Sequence, residues 1–344
     1  MKTNCRFPRM TRAMAMLALV SGAVAGLSAQ TVPTLRGVFE RGEWPETVKV
    51  EGIEILPVLK GVYMLAGGGA NVTVQIGEEG VTMVDAGAAG QATRLQAALR
   101  HLTRKPLRYL IDSGPDADHI AGNGDMVKFA GGTSGPQAGG GGGGGRPPNV
   151  GTAFIAHENA YNRMINGSKE LAPLTGDALP DSTFFTAKKD IFANGEPVQI
   201  LHQPSAHTDG DVIVFFRGSD VVAAGDVYRT DRYPMIDLAR GGSINGELAA
   251  LNTLLDITVP ERNQMGGTRV VPGHGRISNE SDVLEYRDML TIIRDRVKAM
   301  MDKGQTLAQI KAARPSLEYD GLYGKAADWT GDMFLEAVFN SLKK

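Results

Sequence analysis

Four short apolar segments of this chain each end in a cluster of aspartate, histidine or glycine residues, and this pattern constrains the fold more than any other feature. The clusters are Asp116–His119 after residues 107–111, His207 after 198–202, Gly225-Asp226 after 221–224, and Gly273-His274-Gly275 after 268–271. Apolar segments of this length, bounded by turn residues, are typical of buried β-strands. Loops at strand ends can direct their side chains into one pocket. The pattern therefore predicts a sheet-based fold with a polar site where several strands end.

The other elements predict a layered α/β architecture. Strands are expected at 61–65, 71–76, 80–85, 152–156 and 211–216, and helices at 88–102, from 122 onward, and at 157–165, 247–257, 280–303, 306–313 and 331–342. Strands and helices interleave in two similar halves, which favours two sheets packed face to face with helices outside. We expect one catalytic domain over residues 30–277 and a helical extension over 278–344, whose apolar stripe covers the sandwich.

Composition and charge exclude several classes of protein. Hydrophobic residues make up 42% of the 344-residue chain and charged residues 22%, so a packed core is expected and wholesale disorder is excluded. The chain has 36 Lys and Arg residues against 38 Asp and Glu residues, a balance that argues against an electrostatic nucleic-acid binder. The expected partner is a small-molecule substrate, and the oligomeric state stays open.

The first 29 residues have the pattern of a secretory signal peptide. A basic start without acids precedes the apolar stretch 13–27, and Ala25 and Ala29 offer cleavage sites. Because the stretch is short for a membrane span, we expect a periplasmic or secreted protein with no stable membrane insertion after cleavage. Cleavage removes Cys5, the only cysteine, so the mature chain has neither a disulfide nor a thiolate metal ligand.

A glycine-rich segment, 131–149, predicts a flexible surface insertion. It contains seven consecutive glycines, Gly139–Gly145, followed by Pro147-Pro148. Glycine loses more conformational freedom on ordering than any other residue, which favours a loop without fixed structure. A phosphate-binding loop is the alternative, and the absence of a following Lys-Ser or Lys-Thr disfavours it.

The residue types in the four strand-end clusters indicate a metal site. Carboxylates and imidazoles are the oxygen and nitrogen ligands of Zn²⁺ and related divalent ions. A single Asp or His at a strand end is often only a turn or capping residue. Four such clusters in series favour metal binding instead.

The order of these motifs resembles that of the metallo-β-lactamase superfamily, from about Val62 to about Gly275. The matching pieces are Val84-Asp85-Ala86-Gly87, the loop 114–119 with Ala121-Gly122-Asn123 behind it, Ala156-His157-Glu158-Asn159, His207-Thr208-Asp209-Gly210-Asp211, Gly225-Asp226 and Pro272-Gly273-His274-Gly275. The resemblance implies an αββα sandwich with a metal site, usually dinuclear zinc, at one edge. Most members of the superfamily are hydrolases.

The main metal-binding loop departs from the family pattern. The family reads His-x-His-x-Asp-His, whereas this chain reads Gly114-Pro115-Asp116-Ala117-Asp118-His119. By resemblance, one half-site keeps all its ligands, which are Asp118, His119 and His274. Three protein ligands leave an open position for water, as catalytic zinc sites require. Zn²⁺ is therefore the expected ion in this half-site.

The second half-site loses one ligand at Gly114 and exchanges an imidazole for the carboxylate of Asp116. By resemblance, a second ion would bind through Asp116, His207 and Asp226. This oxygen-rich set makes Mn²⁺ or Fe²⁺ an alternative to zinc. The sequence leaves open whether one or two ions bind.

Other polar residues near the motifs receive structural roles. By resemblance, Asp85 orients the ligand loop through hydrogen bonds. His157 is expected to cap or pack, His101 and His202 to be ordinary surface or packed histidines, and Asp209 and Asp211 to shape the His207 turn. The polar run 228–233 fits a substrate-facing lip for an anionic group and a solvated loop equally well.

These observations favour an exported metal-dependent hydrolase that uses a metal-activated water on an ester, thioester or amide bond. Asp118 is expected to act both as a ligand and as the acceptor of the water proton. β-Lactams are one candidate substrate, although Gly225-Asp226 favours thioesters or general esters. A catalytically decayed, metal- or ligand-binding member is the alternative, and a di-iron redox protein is disfavoured because no flavodoxin-like domain follows.

Overall fold

The computed structural model describes residues 47–132, 151–168, 170–264 and 266–343. The predicted signal peptide, 1–29, lies outside these residues, and so does the predicted insertion from residue 133 to residue 149. Within the described part, none of the helices combines the length and the apolar character that a membrane span needs.

The first sheet joins strands in the order in which they occur along the chain. The described strands are β1 (Val48–Val50), β2 (Ile53–Leu59), β3 (Val62–Ala66), β4 (Val72–Ile76), β5 (Val81–Val84), β6 (Leu107–Ile111), β7 (Ala153–His157) and β8 (Ser182–Phe184). Strands β1 to β5 pair antiparallel, whereas β5 to β8 pair parallel. Parallel neighbours end at the same edge of a sheet, so the loops after β5, β6 and β7 lie side by side.

The second sheet has the order β13-β12-β11-β10-β9. Its strands are β9 (Lys188–Ala193), β10 (Glu196–Gln203), β11 (Asp211–Phe216), β12 (Val221–Ala223) and β13 (Arg269–Val271). β12 and β13 pair parallel, and the other neighbours pair antiparallel. Strands β10, β12 and β13 therefore point the same way, and the loops that follow them share one edge.

Helices cover the outer faces of both sheets. They are α1 (Ala92–Leu102), α2 (Ala117–Ile120), α3 (Asn123–Phe129), α4 (Glu158–Asn166), α5 (Ile244–Ile257), α6 (Glu280–Asp302), α7 (Leu307–Ala313), α8 (Leu317–Tyr323) and α9 (Gly331–Ser341). The long helix α6 begins at a capping box, in which the Asn279 side chain accepts from the Asp282 amide and the Asp282 side chain accepts from the Asn279 amide. Side-chain caps also mark the starts of α5, α7 and α9.

Three apolar layers hold the elements together. The central layer lies between the sheets and includes Val84 and Ile111 from the first sheet and Val214 and Val271 from the second. A second layer joins the other face of the first sheet to α1 and α3. A third joins the other face of the second sheet to α5, α6 and α9. The order helix, sheet, sheet, helix is the predicted sandwich.

Several elements were not predicted from the sequence. They are β1, β2, β8, β9 and the helices α2 and α8. Pro57 lies inside β2, and proline normally argues against a strand because it cannot donate to the ladder. The β2–β3 register shifts between Pro57 and Leu59, so the proline sits at an irregularity of the pairing. The strands β8 and β9 lie at sheet edges, where alternating polar residues weaken the apolar signal.

Three large side chains of the run 228–233 fit neither a substrate-facing lip nor a solvated loop. Tyr228 and Tyr233 are buried, and so is Arg229. The Tyr228 ring packs edge-on against Tyr286 of α6, with centroids 5.3 Å apart, and Tyr233 stacks on Phe334 of α9 at 4.5 Å. The C-terminal helices therefore cover Tyr228 and Tyr233, whereas Asp231 of the same run stays exposed.

A buried carboxylate on β10 ties the two sheets together. Glu196 accepts hydrogen bonds from the Ser219 amide at 2.7 Å, from the Gly218 amide and from the Ser219 hydroxyl. It also accepts from the Gln75 amide on β4 of the first sheet. Removal of this side chain leaves buried backbone donors without an acceptor, which is more costly than losing an exposed ion pair.

Replacing Glu196 by alanine should lower the free energy of unfolding by about 3 kcal/mol, because several buried donors lose their acceptor. Urea unfolding followed by circular dichroism measures this change. Glu54→Ala is the matched control, since Glu54 forms only an exposed pair with Lys49, and such pairs contribute less than about 1 kcal/mol. Equal losses in the two variants would contradict the role assigned to Glu196.

Candidate metal centre

The structure brings all six predicted ligands together at the edge where the strands end. They form two groups, Asp118 with His119 and His274, and Asp116 with His207 and Asp226. Within each group, the candidate ligand atoms all lie within 4.8 Å of one another. The first sheet supplies Asp116, Asp118 and His119 through α2, and the second sheet supplies the other three through the loops after β10, β12 and β13.

The carboxylate of Asp85 orients His119. It accepts from the Ser113 amide at 2.8 Å and from the Ser113 hydroxyl at 2.7 Å, and it lies 2.8 Å from Nδ1 of His119. Because Nδ1 faces Asp85, Nε2 of His119 is directed into the centre. Asp85 has a left-handed backbone with φ of 66°, a conformation that aspartate tolerates better than most residues. The predicted orienting role of Asp85 is confirmed.

His207, in the loop after β10, is oriented through its Nδ1 atom, as His119 is. Nδ1 of His207 lies 2.5 Å from the Met235 carbonyl oxygen, and Nε2 lies 2.9 Å from Oδ2 of Asp116. Asp211 accepts from the amide and the hydroxyl of Thr208, both at 2.6 Å. Asp209 accepts from the guanidinium of Arg163 at 2.7 and 3.1 Å. Asp211 therefore shapes the His207 turn as predicted, while Asp209 anchors it to α4.

Two glycines allow the loops after β12 and β13 to meet. A Cβ atom on Gly273 would lie 2.4 Å from Oδ1 of Asp226. Gly225 has φ of 53°, and a Cβ atom there would lie 2.6 Å from the Ser113 hydroxyl. A side chain at either position would push the Asp226 or Ser113 loop away, so the close approach of these loops requires glycine.

Asn71 fixes the loop that carries His274, and sequence reasoning missed this residue. Its side-chain amide donates to the Pro272 and Gly275 carbonyl oxygens, both at 3.0 Å, and its backbone amide donates to the Gly273 oxygen at 2.8 Å. Asn71 precedes β4, about 200 residues before the loop, and no motif at that position signals the contact.

The first half-site presents unpaired ligand atoms. Nε2 of His119 and Oδ1 of Asp226 lie 3.5 Å apart, and both are buried without a hydrogen-bond partner among the described residues. Nε2 of His274 lies 3.6 Å from Oδ1 of Asp226 and 3.0 Å from Oδ2 of Asp118. Buried polar atoms without partners are costly. Imidazole nitrogens and carboxylate oxygens in this arrangement fit a divalent ion such as Zn²⁺.

The electrostatics of the half-site favour a cation. Burial alone would raise the pKa of Asp226, but the imidazoles of His119 and His274 and the guanidinium of Arg229 hold it well below its usual range. Burial would lower the pKa of His119, and the carboxylates of Asp85 and Asp226 raise it well above its usual range instead. The carboxylate of Asp226 is therefore ionised and attracts positive charge to this position.

The second half-site includes a cation that sequence reasoning missed. Nη2 of Arg240 donates to Oδ1 of Asp116 at 2.6 Å, and Nε donates to Oδ2 of Asp237 at 2.6 Å. Arg240 and Asp116 lie 124 residues apart in the chain. Arg240 belongs to a short 3₁₀ turn, Leu238–Arg240, between β12 and α5. No spacing rule connects such a turn with the ligand loop.

A largely apolar cavity of about 440 Å³ opens beside the second half-site. Its walls come from the segment after β12 and from the end of the C-terminal extension. The lining residues are His207, Met235, Ile236, Asp237, Leu238, Arg240, Trp329, Met333, Glu336, Ala337 and Asn340. His207 and Arg240 both contact Asp116, so the cavity adjoins the metal centre.

The remaining histidines lie outside the two groups of ligands. His101 is exposed on α1. Nδ1 of His157 accepts from the Asn159 amide and so caps α4, which confirms its predicted capping role. The His157 ring stacks on that of His202, with centroids 3.5 Å apart and planes 9° from parallel.

Solved structures with the same fold include two hydrolases of low sequence identity. The inverting sec-alkylsulfatase Pisa1 from Pseudomonas sp. matches with a TM-score of 0.58 and 14% identity, over 83% of this chain and 49% of that one. This chain thus spans about half the length of the alkylsulfatase. A metallo-β-lactamase from Pontibacter korlensis matches with a TM-score of 0.51 and 14% identity, over 70% of this chain and 99% of that one. No curated protein matches the sequence.

A family model described as the metallo-beta-lactamase superfamily matches residues 65–288. The matched range contains both sheets' site-forming loops and all six candidate ligands. Together with the two sheets and their covering helices, this match confirms the predicted αββα fold. The chain belongs to the metallo-β-lactamase superfamily.

Proposed function

We propose that this protein is an exported metal-dependent hydrolase of an ester, thioester or amide bond, with one divalent ion held by Asp118, His119 and His274. The observation that carries the proposal is that the ligand atoms of these three residues lie within 4.8 Å of one another, with Nε2 of His119 and the facing Oδ1 of Asp226 buried and unpaired. Membership of a superfamily of mostly hydrolytic metalloenzymes supports the reaction class.

The chain's own residues prepare this half-site for hydrolysis. A divalent ion bound there would lower the pKa of a water molecule and polarise the scissile carbonyl group. Asp118 is the most accessible of the three carboxylates, with 43% of its side chain exposed against 19% for Asp116 and 10% for Asp226. Water can therefore reach Asp118, while the other two face the protein.

The protonation state of Asp118 suits the acceptance of a proton. Burial would raise its pKa, but the hydrogen bond with His274 and the charge of His119 lower it below the usual value. The carboxylate is thus ionised at neutral pH and can accept the proton that an attacking water releases. Asp85 keeps His119 in the orientation that this arrangement needs.

The cavity indicates which part of the substrate the protein recognises. Met235, Ile236, Trp329 and Met333 give it an apolar character, and Arg240 adds one cationic group near the centre. An ester or thioester with an apolar chain fits such a cavity. Because one neighbour is named an alkylsulfatase, secondary alkyl sulfates belong among the candidate substrates, beside β-lactams.

His119→Ala and His274→Ala should each abolish zinc retention, because only two ligands of the first half-site remain. Turnover should fall at least ~100-fold, since even a residue that merely orients a metal ligand is worth ~10–100-fold. His101→Ala, at an exposed position on α1, is the control. Mass spectrometry of bound metal and turnover of a panel of esters, thioesters, a cephalosporin and a secondary alkyl sulfate measure both effects. A wild type that retains no metal and turns over no member of the panel, with no change in His274→Ala, would support the non-catalytic alternative.

Filling the cavity should change the chain-length preference. Met333→Trp places a larger ring in the cavity and should lower kcat/KM for an octanoyl ester at least ~10-fold relative to an acetyl ester, because several buried methylene contacts are lost. Ile292→Trp is the matched control, since Ile292 is a partly exposed residue of α6 that does not line the cavity. An unchanged ratio in Met333→Trp would show that the apolar chain lies elsewhere.

Export should remove the amino-terminal residues. We expect the secreted or periplasmic protein to begin after Ala25 or Ala29, because small residues follow the apolar stretch there. Intact-mass analysis of protein recovered from the periplasm and the medium measures the cleavage. A variant without residues 2–29 should stay inside the cell, and retention of residues 1–25 in exported wild type would contradict the expectation.

A further inference from the structure

We propose that the guanidinium of Arg240 takes the place of a second metal ion. It pairs with Asp116 in the half-site that also contains His207, so that each chain carries one divalent ion. The proposal rests on the function proposed above, because it concerns the other half of the same centre. It also assigns to Arg240 a role that none of the family motifs in this sequence indicates.

The polar atoms of the two half-sites are used differently. On the side of the first half-site, Nε2 of His119 has no hydrogen-bond partner among the described residues, and neither has Oδ1 of Asp226, the atom by which Asp226 faces this half-site. Nε2 of His274 lies 3.0 Å from Oδ2 of Asp118, a contact without a guanidinium. In the second half-site, Arg240 donates to Oδ1 of Asp116, and Nε2 of His207 lies within hydrogen-bond distance of Oδ2. Nδ1 of His207 faces the Met235 carbonyl oxygen. An ion would satisfy unpaired atoms in the first half-site, whereas in the second it would have to displace the guanidinium of Arg240 from Asp116.

Arg240 is held in position before any ligand arrives. The Asp237 carboxylate accepts from Nε of Arg240 at 2.6 Å and from the Ala239 and Arg240 amides at 3.0 Å, so one side chain caps the turn and orients the guanidinium. The Arg240 carbonyl accepts from the Asp209 amide and from Arg163, both at 2.9 Å. A guanidinium fixed at both its side chain and its backbone loses little entropy when it pairs with Asp116.

The departures from the family loop are consistent with this pairing. A guanidinium forms an ion pair with a carboxylate, which accepts its hydrogen bonds. It forms none with an imidazole, which is either neutral or, once protonated, a cation and a donor itself. Asp116, where the family pattern has histidine, is therefore the residue type that Arg240 requires. Gly114, where the pattern has the other histidine, offers no ligand atom at all.

Charge also opposes a second ion. A divalent cation on Oδ2 of Asp116 would lie close to the guanidinium on Oδ1, and like charges at such separations repel strongly in a partly buried site. Asp226, the remaining carboxylate of this half-site, already has Nη1 of Arg229 at 3.9 Å from its Oδ2. Both carboxylates of the second half-site thus have arginine partners.

Arg240 also lies beside the cavity proposed for the substrate. It lines this apolar cavity together with His207, so its charge stays close to the centre. This charge does not depend on metal supply, unlike that of a second ion.

Metal titration of the full chain tests the proposal. Metal-free wild type, Arg240→Met and Arg240→Lys are titrated with Co²⁺, with visible absorption spectra and native mass spectrometry as readouts. Wild type and Arg240→Lys should bind one equivalent, with any second at least ~100-fold weaker than the first. Arg240→Met keeps the apolar stem but removes the charge, so its second equivalent should bind at least ~10-fold more tightly than in wild type. Arg296→Met, which removes an exposed charge paired with Glu318, should behave as wild type.

Three outcomes would overturn the inference, and two of them would leave the proposed function standing. Binding of two equivalents of Co²⁺ with similar affinity by wild type would overturn the inference only. The same holds if Arg240→Met has a native fold by circular dichroism but binds the second equivalent no more tightly than wild type does. If Arg240→Met does not fold, Arg240→Gln serves in its place with the same expectation. Failure of wild type to bind any Co²⁺ would overturn both this inference and the proposed function. The three results therefore distinguish failure of the inference from failure of the proposed function.

Discussion

The contact between the Asp85 carboxylate and Nδ1 of His119 is the interaction on which the metal centre depends. Both side chains are buried, and the same carboxylate holds the amide and hydroxyl of Ser113. It therefore joins the end of β5 to the loop after β6, two neighbouring parallel strands. Hydrogen bonds are strong in such a water-free setting, so the direction of Nε2 of His119 follows from the pairing of the strands. The left-handed backbone at Asp85 is tolerated because three contacts hold its side chain in place.

The centre also balances its charges with arginines from one segment of the chain. Asp116 faces Arg240, Asp226 faces Arg229, and Arg229 is itself held by a two-point contact with Asp231. Burial would lower the pKa of His207, but the nearby Asp116 raises it to about 10, so the second half-site gains a further cation. Asp85 and Asp226 raise the pKa of His119 in the same way. What distinguishes the first half-site is therefore its unpaired buried atoms, Nε2 of His119 and Oδ1 of Asp226, which the proposed divalent ion would satisfy.

The strands and ligands could be predicted because their signals are local. An apolar run that ends in Asp or His shows both a strand and a loop residue, and six such residues converge as expected. Strand β2 escaped prediction because Pro57 masks it, and the burial of Tyr228 and Tyr233 escaped because it depends on helices more than 50 residues later. Asn71 and Arg240 were missed for a related reason. Each acts through one side chain on a loop more than 100 residues away, and no local pattern reports such a contact.

The C-terminal helices shape the centre although they supply none of its ligands. Tyr286 of α6 packs against Tyr228, Phe334 of α9 stacks on Tyr233, and Trp329 donates to the Pro234 carbonyl at 3.1 Å. These contacts hold the segment that carries Arg229, the Met235 carbonyl and Arg240, which are the groups that pair with Asp226, His207 and Asp116. Helix α9 and Trp329 form one wall of the cavity. Because one set of packed aromatic rings positions both the balancing charges and the cavity, a change in this packing alters the electrostatics of the half-sites and the fit of an apolar substrate together.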